Sequence, residues 1–519
     1  MNAEVAPGWR RGMLFTDLYQ LVMAQLYLAD GLADRPAHFD YFYRTNPDYG
    51  SHQAGFCVFA GLEELLGWME SVHITESELN ALAQQRDPTG EPRFSSEFLD
   101  WLAKNGHFGS LEVRAVGEGR VIHPHVPVIS VTGPLAVAQM LETVLLNICN
   151  YPTLIASKAA RIVQSARGGD VLEFGMRRGP AAGVDEAIRA ALIGGCSSTS
   201  NVQASVAAGR DPKGTHAHSM VQAYLALGQG EIGAFRAFAA RYPDECTLLV
   251  DTIDTLSSGV PNAITVFKEL REAGHSPRGI RLDSGDLAHL AVRSAKMLDE
   301  AGFENVRIVL SGDLDELTIW QILTQVAEEA VGEGLDPEAI RGRLVYGVGT
   351  RLITSEGDSS LGGVYKLTAI HDESGTWIPA VKLSETRAKI PIVGPNRCWR
   401  IYDRSGLATV DLLMLPDEEP FAMGEVMTLH HPMDEGVFRR LSLKDTSRVE
   451  LLSDVVVSQG VREGGPVGID ELSQRRADDV ASLDPGVRRL VNPHVYHVSL
   501  SDRLKRLQDE TIREFRSGI

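Results

Sequence analysis

Between about residue 171 and residue 366, short apolar runs alternate with amphipathic stretches. The runs are "VLEFG" at 171, "CTLLVDT" at 246, "GIRLD" at 279, "VRIVLS" at 306 and "RLVYGVG" at 343. Between them lie segments such as "PNAITVFKELREAGH" and "LAHLAVRSAKMLDEAGF". In the first, Ile264, Phe267 and Leu270 recur every three residues on one helical face, and Gly274 supplies a stop. Strand and helix alternating at roughly thirty-residue spacing predict βα units on a parallel sheet.

Polar residues gather where each run stops: "FGMRRG", "VDTIDT", "RLDSGD", "LSGDLDE" and "YGVGT". In a (β/α) barrel the C-terminal strand ends share one face, where catalytic groups collect. Asp and Ser are also good helix caps, so any one of these loops has an equally good structural reading. Five of them delivering Arg, Asp, Ser, Gly and Thr point to a common rim.

The flanks follow other patterns. "AHFDYFYR" (37–44) alternates as a strand does and is followed by "GFCVFAG" and the helical "LEELLGWMES". Residues 360–403 contain the strand-like "GGVYKLTAI" and "WIPAVKLS". "GPLAVAQMLETVLLNIC" is broken by Gln139, Glu142 and Asn147, so it reads as a buried helix and not as a membrane span. The expected organisation is an α/β domain in two pieces (1–150 and 366–430) around a barrel (151–365). A C-terminal extension (431–519) contains charged helices and "NPHVYHVSLSDRL".

Composition narrows the function classes. A chain of 519 residues suggests about three structural units. With 44% hydrophobic and 23% charged residues, a packed core is expected and disorder is not. The net charge of -19 argues against nucleic acid as a partner but leaves room for small anionic substrates where basic groups converge. The five cysteines (57, 149, 196, 246 and 398) show no metal spacing and read as reduced thiols of a cytoplasmic protein. The N-terminus shows no apolar signal segment.

Several candidate groups remain open at this level. "GTHAHS" puts His216 and His218 on opposite faces of an extended segment, so at most one points into a given site. Arg177 and Arg178 directly follow a strand and suit an anion or a surface ion pair. Arg281 lies inside an apolar strand, where an unpaired charge is expensive. The aspartates of "DTIDT" are three apart, one too many for the dehalogenase-type phosphatase motif. Asp251, Asp254, Asp283, Asp286 and Asp313 could instead hold a hydrated divalent ion with help from substrate phosphates. Gly347 and Gly349 would let backbone N–H groups approach a phosphate, or simply make a tight turn. No Gly-x-Gly-x-x-Gly fingerprint supports a dinucleotide fold.

"TDLYQLVMAQLY", "FDYFYR", "FGMRRG", "TSNVQAS", "GTHAHS", "RLDSGDL" and "YGVGT…LGGVYKL" occur in this order, and together they resemble the nicotinate phosphoribosyltransferase family. The match runs from about Thr16 to Arg397, and "NPHVYHVSLSD" is similar to the longer members. Ile253, where the family usually has tyrosine, and Gly179, where alanine is common, depart from the pattern.

The resemblance implies a type II fold: an irregular (β/α) barrel, an open-faced α/β domain, and a homodimer with sites at the subunit interface. It implies transfer of phosphoribose from phosphoribosyl pyrophosphate to nicotinate, giving nicotinate mononucleotide and pyrophosphate, the entry step of NAD salvage. ATP hydrolysis through a phosphohistidine accompanies it, with Mg2+ as cofactor.

It assigns the phosphohistidine to His218, and Asp251 and Asp283 to catalysis and the metal. Nicotinate would meet Tyr19, Phe174, Arg177, Ser200, Thr215 and Arg281. Phosphoribosyl pyrophosphate would meet Arg177, Arg281, Asp283, Ser284, Gly312, Asp313, Gly349, Thr350 and Lys366. The related nicotinamide enzyme has an aspartate in the middle of "TSN", where this chain has the neutral Ser200, so nicotinate is the expected base. A catalytically silent, metabolite-binding relative is disfavoured because every motif position keeps a competent residue.

Overall fold

In the computed structural model, which describes residues 11–181, 183–382, 390–434 and 436–517, the five apolar runs and a two-residue segment not read from the pattern, Ser198–Thr199, form six parallel strands. They are β1 (Asp170–Glu173), β2 (Ser198–Thr199), β3 (Thr247–Leu249), β4 (Gly279–Leu282), β5 (Arg307–Ser311) and β6 (Leu344–Val348). Their spatial order is β2-β1-β6-β5-β4-β3. Apart from β2 and β3, which form the two edges, strands consecutive in sequence lie side by side, and β6 returns to β1. That is the order of a barrel opened at one seam, between β2 and β3, and it makes the (β/α) barrel irregular.

These strands belong to a unit spanning Ile155–Ser359. Their crossover helices bury one face against the sheet. In the helix Val260–Glu272 the inward residues are Val260, Ala263, Val266, Phe267 and Leu270, while Ile264 stays half-buried. Pro261 sits in its first turn and Gly274, at φ +89°, follows its end.

The second unit comprises Met1–Leu154 and Ser360–Ile519. One of its sheets has seven antiparallel strands, with Pro36–Tyr43 between Gly363–His371 and Ile129–Pro134. Pro36–Tyr43 is buried at every position but the first, because a central strand covered on both sides has no solvent face. The alternation read in "AHFDYFYR" thus describes composition and not exposure. "WIPAVKLS" contributes the strand Trp377–Pro379; its last two residues lie outside the described residues.

"GPLAVAQMLETVLLNIC" forms two helices, Leu135–Met140 and the start of Glu142–Ser165. Its polar residues are used: Gln139 Nε2 donates to the Gln20 carbonyl at 2.8 Å. Among the described residues no helix is long and apolar enough to cross a membrane.

The C-terminal residues supply strands to the two larger sheets of this unit. Ser453–Ser458 pairs with Glu112–Val116, and Val498–Leu500 runs parallel to Ala408–Met414. A buried ion network joins the pieces. Arg400 donates to both oxygens of Asp411 at 2.8 Å and to Asp479 at 3.3 Å, while Arg120 donates to Asp479 at 2.8 Å. Removing one partner would strand an uncompensated charge, at a cost of about 3–5 kcal/mol.

Candidate active site

The C-terminal ends of β1, β3, β4, β5 and β6 bring polar groups together in the barrel unit. Arg281, on β4, is held by three partners. Nε donates to Ser311 Oγ at 2.8 Å, Nη2 to Asp283 Oδ1 at 2.8 Å, and Nη1 to Thr215 Oγ1 at 3.3 Å. Ser311 Oγ donates to the same Asp283 oxygen. A guanidinium carries five N–H donors, so this fixed fork retains donors for an anion.

Phe174 follows β1, and its N–H donates to the Val348 carbonyl at 2.6 Å. Its ring lies over Gly347, where an added Cβ would come within 2.6 Å of ring carbons. The Arg281 Cζ stands 5.7 Å from the ring centroid, within cation–π range. Phe174 and Arg281 therefore form a wall and a clamp over the same strand ends.

The two histidines separate cleanly. His216 is buried, accepts the Leu249 N–H through Nε2 at 3.1 Å, and packs edge-on against Phe238 at 5.0 Å. Burial pulls its pKa down to about 4 against the opposing pull of the Ala217 carbonyl, with Arg281 and His218 adding smaller downward contributions. It is a neutral structural imidazole.

His218 opens the helix His218–Ala226 with its side chain 37% exposed. Its Nδ1 meets Thr252 Oγ1 at 3.0 Å, and its Nε2 faces Asp251 Oδ1 at 3.8 Å and Asp283 Oδ2 at 3.9 Å.

The five aspartates also divide. Asp251 Oδ2 accepts from Ser284 Oγ at 2.6 Å and from the Asp283 N–H at 3.0 Å, whereas its Oδ1 is buried with no hydrogen-bond partner. A buried carboxylate oxygen without a donor suits a cation. Asp254 and Asp286 instead cap the helical turns that follow them. Asp313 is exposed in the left-handed region at φ +49°. Gly312 beside it, at φ +101°, packs so closely that a Cβ would meet the Asp283 carbonyl at 2.4 Å.

Arg177 and Arg178 form an exposed turn; the Arg178 N–H donates to the Gly175 carbonyl at 2.8 Å, and neither side chain makes a hydrogen bond or ion pair with a described residue. Ser200 is exposed after β2, and Gly349 and Thr350 open a one-turn helix after β6. Gly179 suits its surroundings, since a Cβ there would reach Val184 Cγ2 at 2.9 Å. Ile253 is 56% exposed.

Tyr19 and Lys366 belong to the other unit and meet there through Glu142. Tyr19 Oη donates to Glu142 Oε2 at 3.4 Å, and Lys366 Nζ donates to Oε1 at 3.4 Å. Partial burial and the Glu142 charge raise the Tyr19 pKa.

Sequence reasoning missed the groups that hold the site in place. Glu173 is fully buried at the end of β1 and accepts from the Gly175 N–H and, at 2.6 Å, from Thr199 Oγ1; burial raises its pKa. It therefore ties the Phe174 turn to the segment carrying Ser200. Its one signal was a lone charge within "VLEFG". Ser311 and Thr252 lay within the polar runs "LSGDLDE" and "VDTIDT" without a role of their own, and Glu142 read only as a break in an apolar run.

A parallel α/β unit that gathers arginine, aspartate, histidine and an aromatic wall at its strand ends has the architecture of an enzyme acting on small anions. Comparison with known proteins is more specific. Residues 14–150 match the nicotinate phosphoribosyltransferase N-terminal domain, 170–382 the nicotinate phosphoribosyltransferase family, and 396–508 the corresponding C-terminal domain.

The nicotinate phosphoribosyltransferase of Bacillus subtilis is 38% identical over 513 residues, covering 98% of this chain and 96% of that one. The human protein of the same name is 31% identical over 561 residues, with 98% of each chain covered. The crystal structure of human nicotinic acid phosphoribosyltransferase superposes with a TM-score of 0.76 at 28% identity, covering 95% of this chain and 99% of that one. The chain belongs to the nicotinate phosphoribosyltransferase family.

Proposed function

We propose that this enzyme joins nicotinate to phosphoribosyl pyrophosphate and couples the transfer to ATP through a phosphohistidine at His218. The pyridine nitrogen's lone pair forms the bond to C1 as the C1–O bond breaks, and pyrophosphate leaves with that electron pair. No proton is transferred. The positive charge that develops on the sugar needs an aromatic nucleophile already in place.

Phe174 supplies one wall for the pyridine ring. Arg281 and Arg177 hold its carboxylate or the substrate phosphates, with Thr215 and the neutral Ser200 alongside. Asp283, Ser284, Gly312, Asp313, Gly349 and Thr350 take the phosphoribosyl pyrophosphate.

Mg2+ fits Asp251 and Asp283, whose oxygens face His218. No group of three or more His, Cys, Asp or Glu among the described residues could hold a metal alone, so substrate oxygens and water would complete its shell. When bound, the ion supplies charge neutralisation for the pyrophosphate leaving group.

The observation that carries the reading is the His218 geometry. Thr252 engages Nδ1, which leaves Nε2 as the nitrogen that takes the γ-phosphoryl group of ATP while ADP departs. The added charge beside the pyrophosphate site acts through conformation. Its effect can only be as large as the difference in affinity between the two states.

We place Tyr19 as the opposite wall of the nicotinate site in a second copy of the chain. The helix Leu18–Ala29 supports a homodimer, because Leu18, Val22 and Leu26 are 48%, 43% and 54% exposed along one face beside Tyr19. Incubation with γ-labelled ATP and peptide mapping tests the phosphohistidine. Acid-labile, base-stable label on His218 is expected, and label on His216 would overturn it.

A further inference from the structure

A second cavity lies wholly within the unit of residues 1–154 and 360–519, and none of the candidate active-site residues line it. It encloses about 470 Å³ and is lined by Arg44, four histidines (123, 125, 431 and 494) and several prolines. That volume falls among small-molecule sites, which span roughly 300–1,000 Å³.

Its polar groups lack partners that a finished interior would provide. Arg44, half-buried directly after the strand Pro36–Tyr43, makes no hydrogen bond or ion pair with any described residue, and its Nε is buried without an acceptor. His123 is completely buried and stacked on Tyr496 with ring centroids 3.7 Å apart, yet neither of its ring nitrogens has a partner. Buried polar groups are normally satisfied, so each such case calls for an explanation.

The local field is positive. Burial, with Arg44 and His431 adding to it, holds the His125 pKa at about 4. Among the described lining residues the sole carboxylate is Asp48, whose two oxygens already accept from the Gly50 N–H at 2.9 Å and Gln53 Nε2 at 3.2 Å. Asn46 accepts the Tyr43 hydroxyl through Oδ1 at 3.1 Å and leaves its amide donors unused. Unused donors on Arg44 and Asn46, beside imidazoles, exceed what one carboxylate needs and match the oxygens of a phosphate. Pro124, Pro493 and Met433 give the rest of the wall an apolar surface.

We propose that this cavity binds a small organic phosphate, one phosphate group on a planar heterocyclic body. Arg44 and Asn46 hold the phosphate, and the proline and methionine wall holds the ring. The proposal uses residues of one unit only and stands independently of the nicotinate reading.

The test is titration calorimetry of the full chain with adenosine monophosphate as probe, in an Arg281→Ala background that weakens binding in the barrel unit. One site per chain is expected. Arg44→Gln should weaken it at least tenfold. So should Val495→Trp, which fills the cavity mouth from a position 87% exposed and leaves the core untouched. Inorganic phosphate should bind at least tenfold more weakly than the nucleotide. Absence of binding, or binding unchanged in both variants, overturns the site. Inorganic phosphate binding as tightly as the nucleotide overturns the ring-bearing ligand.

Discussion

His218 Nε2 stands 3.8 Å from the buried, otherwise unpartnered Asp251 Oδ1, while His216, two residues earlier, turns inward to accept a backbone N–H of β3. One short segment thus carries an imidazole that faces the strand-end carboxylates and one that serves as a structural pin. Alternation along the extended chain puts them on opposite sides, and their surroundings make them chemically different.

Replacing each histidine separates the two roles. His218→Ala should abolish ATP hydrolysis and ATP stimulation and leave a slow ATP-independent transfer. His216→Ala should retain the coupling but lose about 1–3 kcal/mol of stability, because the Leu249 N–H is left buried without an acceptor. Coupled ATPase assays and denaturant unfolding measure the two effects.

The depressed pKa of His216 also sets a pH dependence. Its folded value of about 4 lies below its ordinary value of 6.5, so the unfolded chain binds the proton first as pH falls. The stabilisation from the neutral ring is full above pH 6.5 and is lost progressively down to pH 4, by up to ~3 kcal/mol. His216→Gln should flatten the unfolding free energy over that window relative to the unaltered protein. An identical slope would show that this imidazole is not held neutral.

The proposed function makes base choice depend on the charge at position 200. Ser200→Asp should raise KM for nicotinate at least about tenfold, ~1.4 kcal/mol, by opposing its carboxylate. The unaltered protein should not use nicotinamide, and equal turnover of both bases would remove Ser200 from the account.

Gly347→Ala addresses the aromatic wall. The new methyl group would meet the Phe174 ring at 2.6 Å and displace it. KM for nicotinate should rise at least about tenfold while KM for phosphoribosyl pyrophosphate changes less. Equal changes in both constants would indicate general disruption.

The shared site is tested by mixing. Subunits carrying Tyr19→Ala and Arg281→Ala, each inactive alone, should recover roughly a quarter of full activity after exchange, because half the dimers then carry one intact site. No recovery in exchanged hybrids would remove Tyr19 from a second copy's site.

The barrel strands and their polar ends were legible because βα alternation and strand-end chemistry are local properties of the chain. Arg281 stood out as a charge in an apolar run. What the sequence could not display were contacts made by folding. Ser311 braces Arg281 from 30 residues away, and Glu142 meets Lys366 across 224. No spacing encodes such pairs. The central place of Pro36–Tyr43 in its sheet likewise depends on strands from distant segments, Ile129–Pro134 and Gly363–His371.

The most direct measurement is incubation of the purified protein with nicotinate, phosphoribosyl pyrophosphate and Mg2+, with and without ATP, while quantifying both products. Nicotinate mononucleotide and pyrophosphate in equal amounts are expected, formed faster with ATP and accompanied by ADP. No mononucleotide under either condition would contradict the assigned transfer, and a rate indifferent to ATP would contradict its coupling through His218.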